Sequence, residues 1–221
     1  MKFLFFIFAI APAIAFSQSP LSFASFEAGD SVSYSLSQNG KVKKLSYNFN
    51  KVTEEGAEEG AEGITDLGGV ETPFINPGTG FEGTEISMSD GSLLVRKPAV
   101  KIFDTKMQLG SNWQNFYEVS SDNFKIQAIS QVSVDKFEKV KLKFADIDCY
   151  VINANDIYQG ISSKSEVFTG KGVMKTWVGV ANSRLLIVKR EYSNSFGAKV
   201  VQELTELPKL AATAQKADAP K

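Results

Sequence analysis

Asp104, Asp146 and Asp148 are the side chains of this sequence best placed to do chemistry. Asp146 and Asp148 are two apart, so a strand would hold them on one face. A pair of carboxylates is the minimal apparatus of glycoside hydrolysis, one acting as acid and the other as base or nucleophile. The competing reading of such aspartates is turn capping or simple solvation at strand ends. A hydrolase built here would run on carboxylates alone, because the 221 residues include no histidine. That absence removes the usual general base, the usual activator of a nucleophile and the commonest metal ligand.

Other patterns carry less chemistry than their letters suggest. Cys149 lies between Asp148 and Tyr150 in an apolar run with no histidine to form a thiolate pair, and reads as a small buried hydrophobe. Ser133-Val-Asp-Lys136 matches the serine–lysine nucleophile spacing, but that motif needs a helical turn, and residues three apart on a strand point to opposite faces. Gly78-Thr-Gly-Phe-Glu-Gly83 matches the dinucleotide fingerprint, yet Pro73 and Pro77 precede it and a strand-like stretch follows, where a helix N-terminus should receive the phosphates. The acidic repeat Glu54 to Gly63 (EEGAEEGAEG) reads as a mobile, solvated loop rather than a cation site. No catalytic, cofactor-binding or metal-binding residue is assigned.

The N-terminus fixes the expected compartment. Lys2 is followed by an unbroken apolar run, Phe3 to Ile10, then Pro12 and small residues, the order of a secretory signal. The small-x-small rule allows cleavage after Ser17 or after Ala15, and the first leaves Gln18 at the start of the polar chain. The run is shorter than the roughly 20 residues that span a bilayer. The expected location is periplasmic or secreted. One cysteine permits no internal disulfide, so the core alone must stabilise the domain. A net charge of −1, from 24 basic and 25 acidic residues, gives no electrostatic footprint for nucleic acid.

Residues 18–207 read as one all-β domain. Val32, Tyr34 and Leu36 alternate with serines up to Asn39-Gly40, and Leu45, Tyr47 and Phe49 alternate after it, the pattern of a two-residue hairpin. A second hairpin is expected over Thr84 to Arg96 with Asp90-Gly91 at its tip, and Asp66 to Gly83 between is expected to be irregular, with Phe74, Ile75 and Phe81 pinning it to the core. From Phe124 to Phe144 the apolar residues fall on even positions, predicting one long half-buried strand or a pair broken near Asp135-Lys136. Cys149 to Ile152, Glu166 to Val180, Leu185 to Tyr192 and Lys199 to Leu207 continue the pattern, with a turn over Asn194 to Gly197. No window repeats at 3.6 residues. Residues 208–221, rich in Ala and Lys, are expected to be disordered. The sum is a curved antiparallel sheet, a half-barrel or open barrel with one polar face.

The second half of the chain resembles the TapB-like family of exported bacterial β-proteins of unknown function. Leu109-Gly110 with Trp113, Lys141 to Ile152 (KLKFADIDCYVI), Lys175-Thr-Trp177, Ile187 to Tyr192 and Gln202 to Leu207 carry the likeness. The resemblance implies a curved antiparallel sheet like that of periplasmic lipoprotein carriers and transfers no catalytic residues. The 17 Phe, 6 Tyr and 2 Trp are read first as core, but a concave sheet lined by surplus aromatics would suit a lipid or other apolar ligand. The expected function is therefore a non-catalytic envelope protein binding an apolar ligand or a protein partner. A carboxylate hydrolase and a purely structural or interaction role are the alternatives.

Overall fold

Asn39-Gly40 does what the sequence requires of it. Both residues take positive φ, 49° and 82°, the geometry that lets a two-residue turn match the twist of its strands. They join β1 (Ser31–Gln38) to β2 (Lys41–Glu55), the first of twelve strands in a computed structural model that describes residues 22–55, 58–76, 85–87 and 93–211. The rest are β3 (Glu58–Leu67), β4 (Glu71–Asn76), β5 (Glu85–Ser87), β6 (Leu93–Lys97), β7 (Asn112–Ser121), β8 (Phe124–Lys141), β9 (Asp146–Ser162), β10 (Val167–Ala181), β11 (Arg184–Asn194) and β12 (Lys199–Leu204). They form one sheet, ordered β4-β3-β2-β1-β12-β11-β10-β9-β8-β7-β6-β5, with antiparallel pairs in every ladder. No helix occurs among the described residues.

Chain length forces this sheet to curl. β4 and β5 are its two edges, yet only residues 77–84 separate them. Laid flat, twelve strands would set those edges about 50 Å apart, whereas the chain from Asn76 to Glu85 reaches roughly 30 Å at full extension. The edges do approach each other.

The core has two parts, one on each face of β9. Odd-numbered Ile147, Cys149 and Val151 pack with Val32, Tyr34, Leu45, Trp177 and Leu204. Even-numbered Tyr150, Ile152 and Ala154 pack with Val132, Val134 and Val178, and with Ile102, Phe103 and Met107 from the connection between β6 and β7. That connection is anchored where the Trp113 indole N–H and the Asn115 amide both donate to the Lys101 carbonyl, at 3.0 and 2.9 Å. The expected single polar face is thus corrected: β9 is buried on both sides along this half of its length, because a connecting segment covers one side and the curled sheet the other.

A bulge corrects the parity of β8. Val134 pairs with Ile152 and Lys136 with Val151, leaving Asp135 as the extra residue. Even positions before it, Val132 and Val134, belong to the second core cluster; even positions after it, Val140 and Leu142, pack on the first. One inserted residue in a period-2 chain exchanges the two faces. The strand is continuous across Asp135-Lys136 rather than broken.

Three more expectations change. The acidic repeat is paired chain, not loop: Glu54 opposes Glu59, Glu55 opposes Glu58, and pairing runs on through Gly63. Backbone hydrogen bonds in a hairpin do not require the side chains to pack, which composition alone could not weigh. Part of the supposedly irregular stretch after Asp66 is β4, in which Pro73 is tolerated because β4 is an edge. The start of the expected disordered tail is held: Pro208 is buried, Lys209 exchanges two backbone hydrogen bonds with Ser31, and the Ala211 N–H donates to Asp30. The second hairpin is present as the β5–β6 pair. Its tip at Asp90-Gly91, the signal region 1–17, Gly78 to Gly83, and the side chains of Phe74 and Ile75 lie outside the described residues.

Candidate functional site

The carboxylates singled out by sequence fall in two places, Asp104 in one and Asp146 with Asp148 in the other, each beside lysine. Asp104, in the β6–β7 connection, accepts from the Lys106 backbone N–H at 2.9 Å and from Lys101 Nζ at 3.1 Å. Chiefly that backbone bond holds its carboxyl below the usual aspartate range. Asp146 and Asp148 are exposed at the start of β9, cross-strand from Lys141 and Lys139, with Asp148 4.0 Å from Lys139 Nζ. Among the described residues no three acidic or thiol groups gather as metal ligands would.

Cys149 is fully buried, its Sγ 3.4 Å from the Ile147 carbonyl, and burial pushes its thiol up to about 12. Ser133 and Lys136 supply a correction. The Asp135 bulge brings both onto the face shared with Asn153 and Val151, not onto opposite faces. Neither addresses the other: Ser133 Oγ donates to Asp135 at 2.6 Å and Lys136 bonds Glu138.

A groove among the described residues lies elsewhere. An open groove of about 630 Å³ runs across β7 to β10. Its floor is two cross-strand rows. One row is Phe116, Ile129 and Ile157, paired in that order and ending on Lys171. The other is Lys97, Glu118, Gln127, Gln159 and Thr169. The three apolar side chains are 59%, 43% and 62% exposed, so three large, exposed hydrophobes stand in register on adjacent strands. Glu118 is engaged by Lys125 at 2.9 Å. The sequence held one signal for this row. Ile129 is an apolar residue at an odd position of β8 ahead of the bulge, among Lys125, Gln127 and Gln131, where the alternation calls for a polar side chain.

Two rows, polar but for the exposed Val173, separate the groove from Trp177 on the same face of β10: Gln131, Asn155 and Val173, then Ser133, Asn153 and Lys175. Trp177 is buried beneath charge. Lys175 and Lys189 lie 4.4 and 5.0 Å from its ring centroid, and its indole N–H donates to Glu138 at 2.6 Å. Trp177 is therefore a seal on the first core cluster rather than a wall of the groove.

Among solved structures, a protein from Bacteroides fragilis described as exported and as having a YmcC-like fold matches 86% of this chain and all of its own, with 14% identity and a TM-score of 0.56. The fold is YmcC-like. A protein described as a lipoprotein, from Parabacteroides distasonis, matches the same shares of each chain at 14% identity and a TM-score of 0.52. No family model and no curated protein matches the chain. The YmcC-like likeness is one of fold, and membership of the TapB-like family is not shown.

Proposed function

We propose that this chain is an exported, non-catalytic envelope protein, released from its signal peptide after Ser17, that binds an apolar ligand in the groove on β7 to β10. The observation that carries the reading is the exposed row Phe116–Ile129–Ile157, three large hydrophobes in cross-strand register along the groove floor. Large exposed hydrophobes in register mark a binding surface rather than scattered surface residues. The groove's volume falls in the range of small-molecule sites, and its polar lining is amide, hydroxyl, the Lys97 ammonium and an ion-paired carboxylate, suited to orienting a ligand. Export is supported by the apolar run Phe3 to Ile10 and accords with how both structural neighbours are described. A protein partner is the second reading, favoured by Ile161 and Val167, which are exposed cross-strand partners beyond the groove.

The test uses Nile red, a neutral apolar dye, with protein purified after export. The dye should bind the native protein and be lost from Ile129→Asp, a change at an exposed position that leaves the fold intact by circular dichroism. Equal dye binding by both proteins would remove the groove from consideration.

A further inference from the structure

The charges around the groove are not balanced. Lys97 and one carboxylate, Glu118, line it; Lys125 engages that carboxylate from beside the groove, and Lys171 stands next to the lining as the cross-strand partner of Ile157. Lys171 closes the apolar row as the cross-strand neighbour of Ile157, and has no ion-pair partner among the described residues. Thr169 is two residues away on the same face of β10, at the end of the polar row. One end of an apolar track therefore presents an ammonium and a hydroxyl side by side.

We propose that the ligand is a single-chain anionic amphiphile, its acyl tail lying across Ile157, Ile129 and Phe116 and its carboxylate or phosphate head meeting Lys171 and Thr169. This rests on the groove reading above and adds the head group to it. The row from Phe116 to Lys171 crosses three strand spacings, about 14 Å, so one chain laid across the strands covers it end to end. A head at the Lys171 end gains a charge-assisted bond and a hydroxyl donor. A cationic head would meet an unpartnered lysine there, and a neutral head would gain the hydroxyl alone.

Four probes with one twelve-carbon tail separate the terms: laurate, dodecyl phosphate, dodecanol and dodecyltrimethylammonium, each titrated calorimetrically below its micelle concentration. Laurate or dodecyl phosphate should bind about tenfold more tightly than dodecanol, and dodecyltrimethylammonium more weakly than either. The tighter of the two anions identifies the head group. Lys171→Glu should abolish the preference for an anion while leaving dodecanol unchanged, and Ile129→Asp should weaken all four. Native protein that binds dodecanol or dodecyltrimethylammonium as tightly as the anions would overturn the head-group assignment and leave the groove reading standing. Binding of none of the four, or binding unaffected by Ile129→Asp, would overturn the groove reading itself.

Discussion

Asp30 and Arg184 meet across 154 positions of sequence, carboxylate Oδ2 to guanidinium Nε at 2.8 Å, with 1% and 2% of their surfaces exposed. The same carboxylate accepts the backbone N–H of Glu27 at 2.9 Å and of Ala211 at 2.8 Å. One side chain thus ties together the lead-in to β1, the first residue of β11, and the segment after β12. Asp30→Ala leaves the buried guanidinium with only the half-exposed Glu27 carboxylate, 3.4 Å from its Nη2, and should cost about 3 kcal/mol in urea denaturation. The double change Asp30→Leu with Arg184→Met, which leaves no charge behind, should cost less than the single one. A double variant weaker than Asp30→Ala would mean that the pair stabilises by more than mutual compensation.

The tail prediction follows from the same clasp. A chain ending at Ala211 should keep its melting temperature, and one ending at Leu207 should lose several degrees, because it forfeits buried Pro208, the Lys209–Ser31 bridge and a ligand of Asp30. Two equal melting temperatures would show that residues 208–211 add nothing.

Asp135 gives a sharper test of the sheet. Asp135→Ala removes exposed hydrogen bonds to Ser133 and Asn153 and should cost about 1 kcal/mol. Deleting Asp135 exchanges the faces of everything from Lys136 onward, driving Val140 and Leu142 out of the first core cluster and Glu138 towards the second. The deletion should abolish cooperative unfolding. A deletion variant that folds normally would show that the bulge is not what sets the register.

Glu138 predicts a pH response. Lys136 first, and the Trp177 indole second, hold its carboxyl below the usual glutamate range. A depressed folded-state pKa means that these bonds stabilise fully above the ordinary value of about 4.5 and are lost as pH falls through the lower folded value. In a Trp113→Phe background, Trp177 emission should stay constant from pH 7 to 5 and shift only below about 4.5. Glu138→Gln should flatten that step. A step centred above 4.5 would contradict the assignment.

Cys149 should behave as an opening probe. With its thiol pushed to about 12 by burial, native protein at pH 8 should react with Ellman's reagent only as fast as it unfolds. Gly179→Ala should raise that rate, because a Cβ there would sit 2.6 Å from the Asp148 carbonyl and 2.8 Å from the Cys149 sulfur. Unchanged reactivity in that variant would show that the backbone yields without opening.

The strands were legible in this sequence because period-2 alternation and Asn-Gly turns are local signals. Ser31 to Val52, Phe124 onward and the later runs all fall in the one sheet. Asp135 was not legible as a bulge. An extra residue leaves the apolar residues on even positions while reversing what those positions face, and only the partner strand reveals it. The groove failed for a related reason: Phe116, Ile129 and Ile157 are far apart in sequence, and the one that breaks the alternation, Ile129, says nothing by itself of the other two. Only the pairing of β7, β8 and β9 makes them a row.

The placement of β12 between β1 and β11 sets a timetable. As the polypeptide emerges from N-terminus to C-terminus, β1 can pair with β2, but its other edge waits for a partner that is synthesised last. Tyr34 stays without Leu204, and Asp30 without Arg184, until nearly the whole chain is present. Contacts of such long sequence separation make folding slow. The hairpins on either side can form as they emerge, but the two halves of the sheet join only when the twelfth strand arrives to bridge β11 and β1.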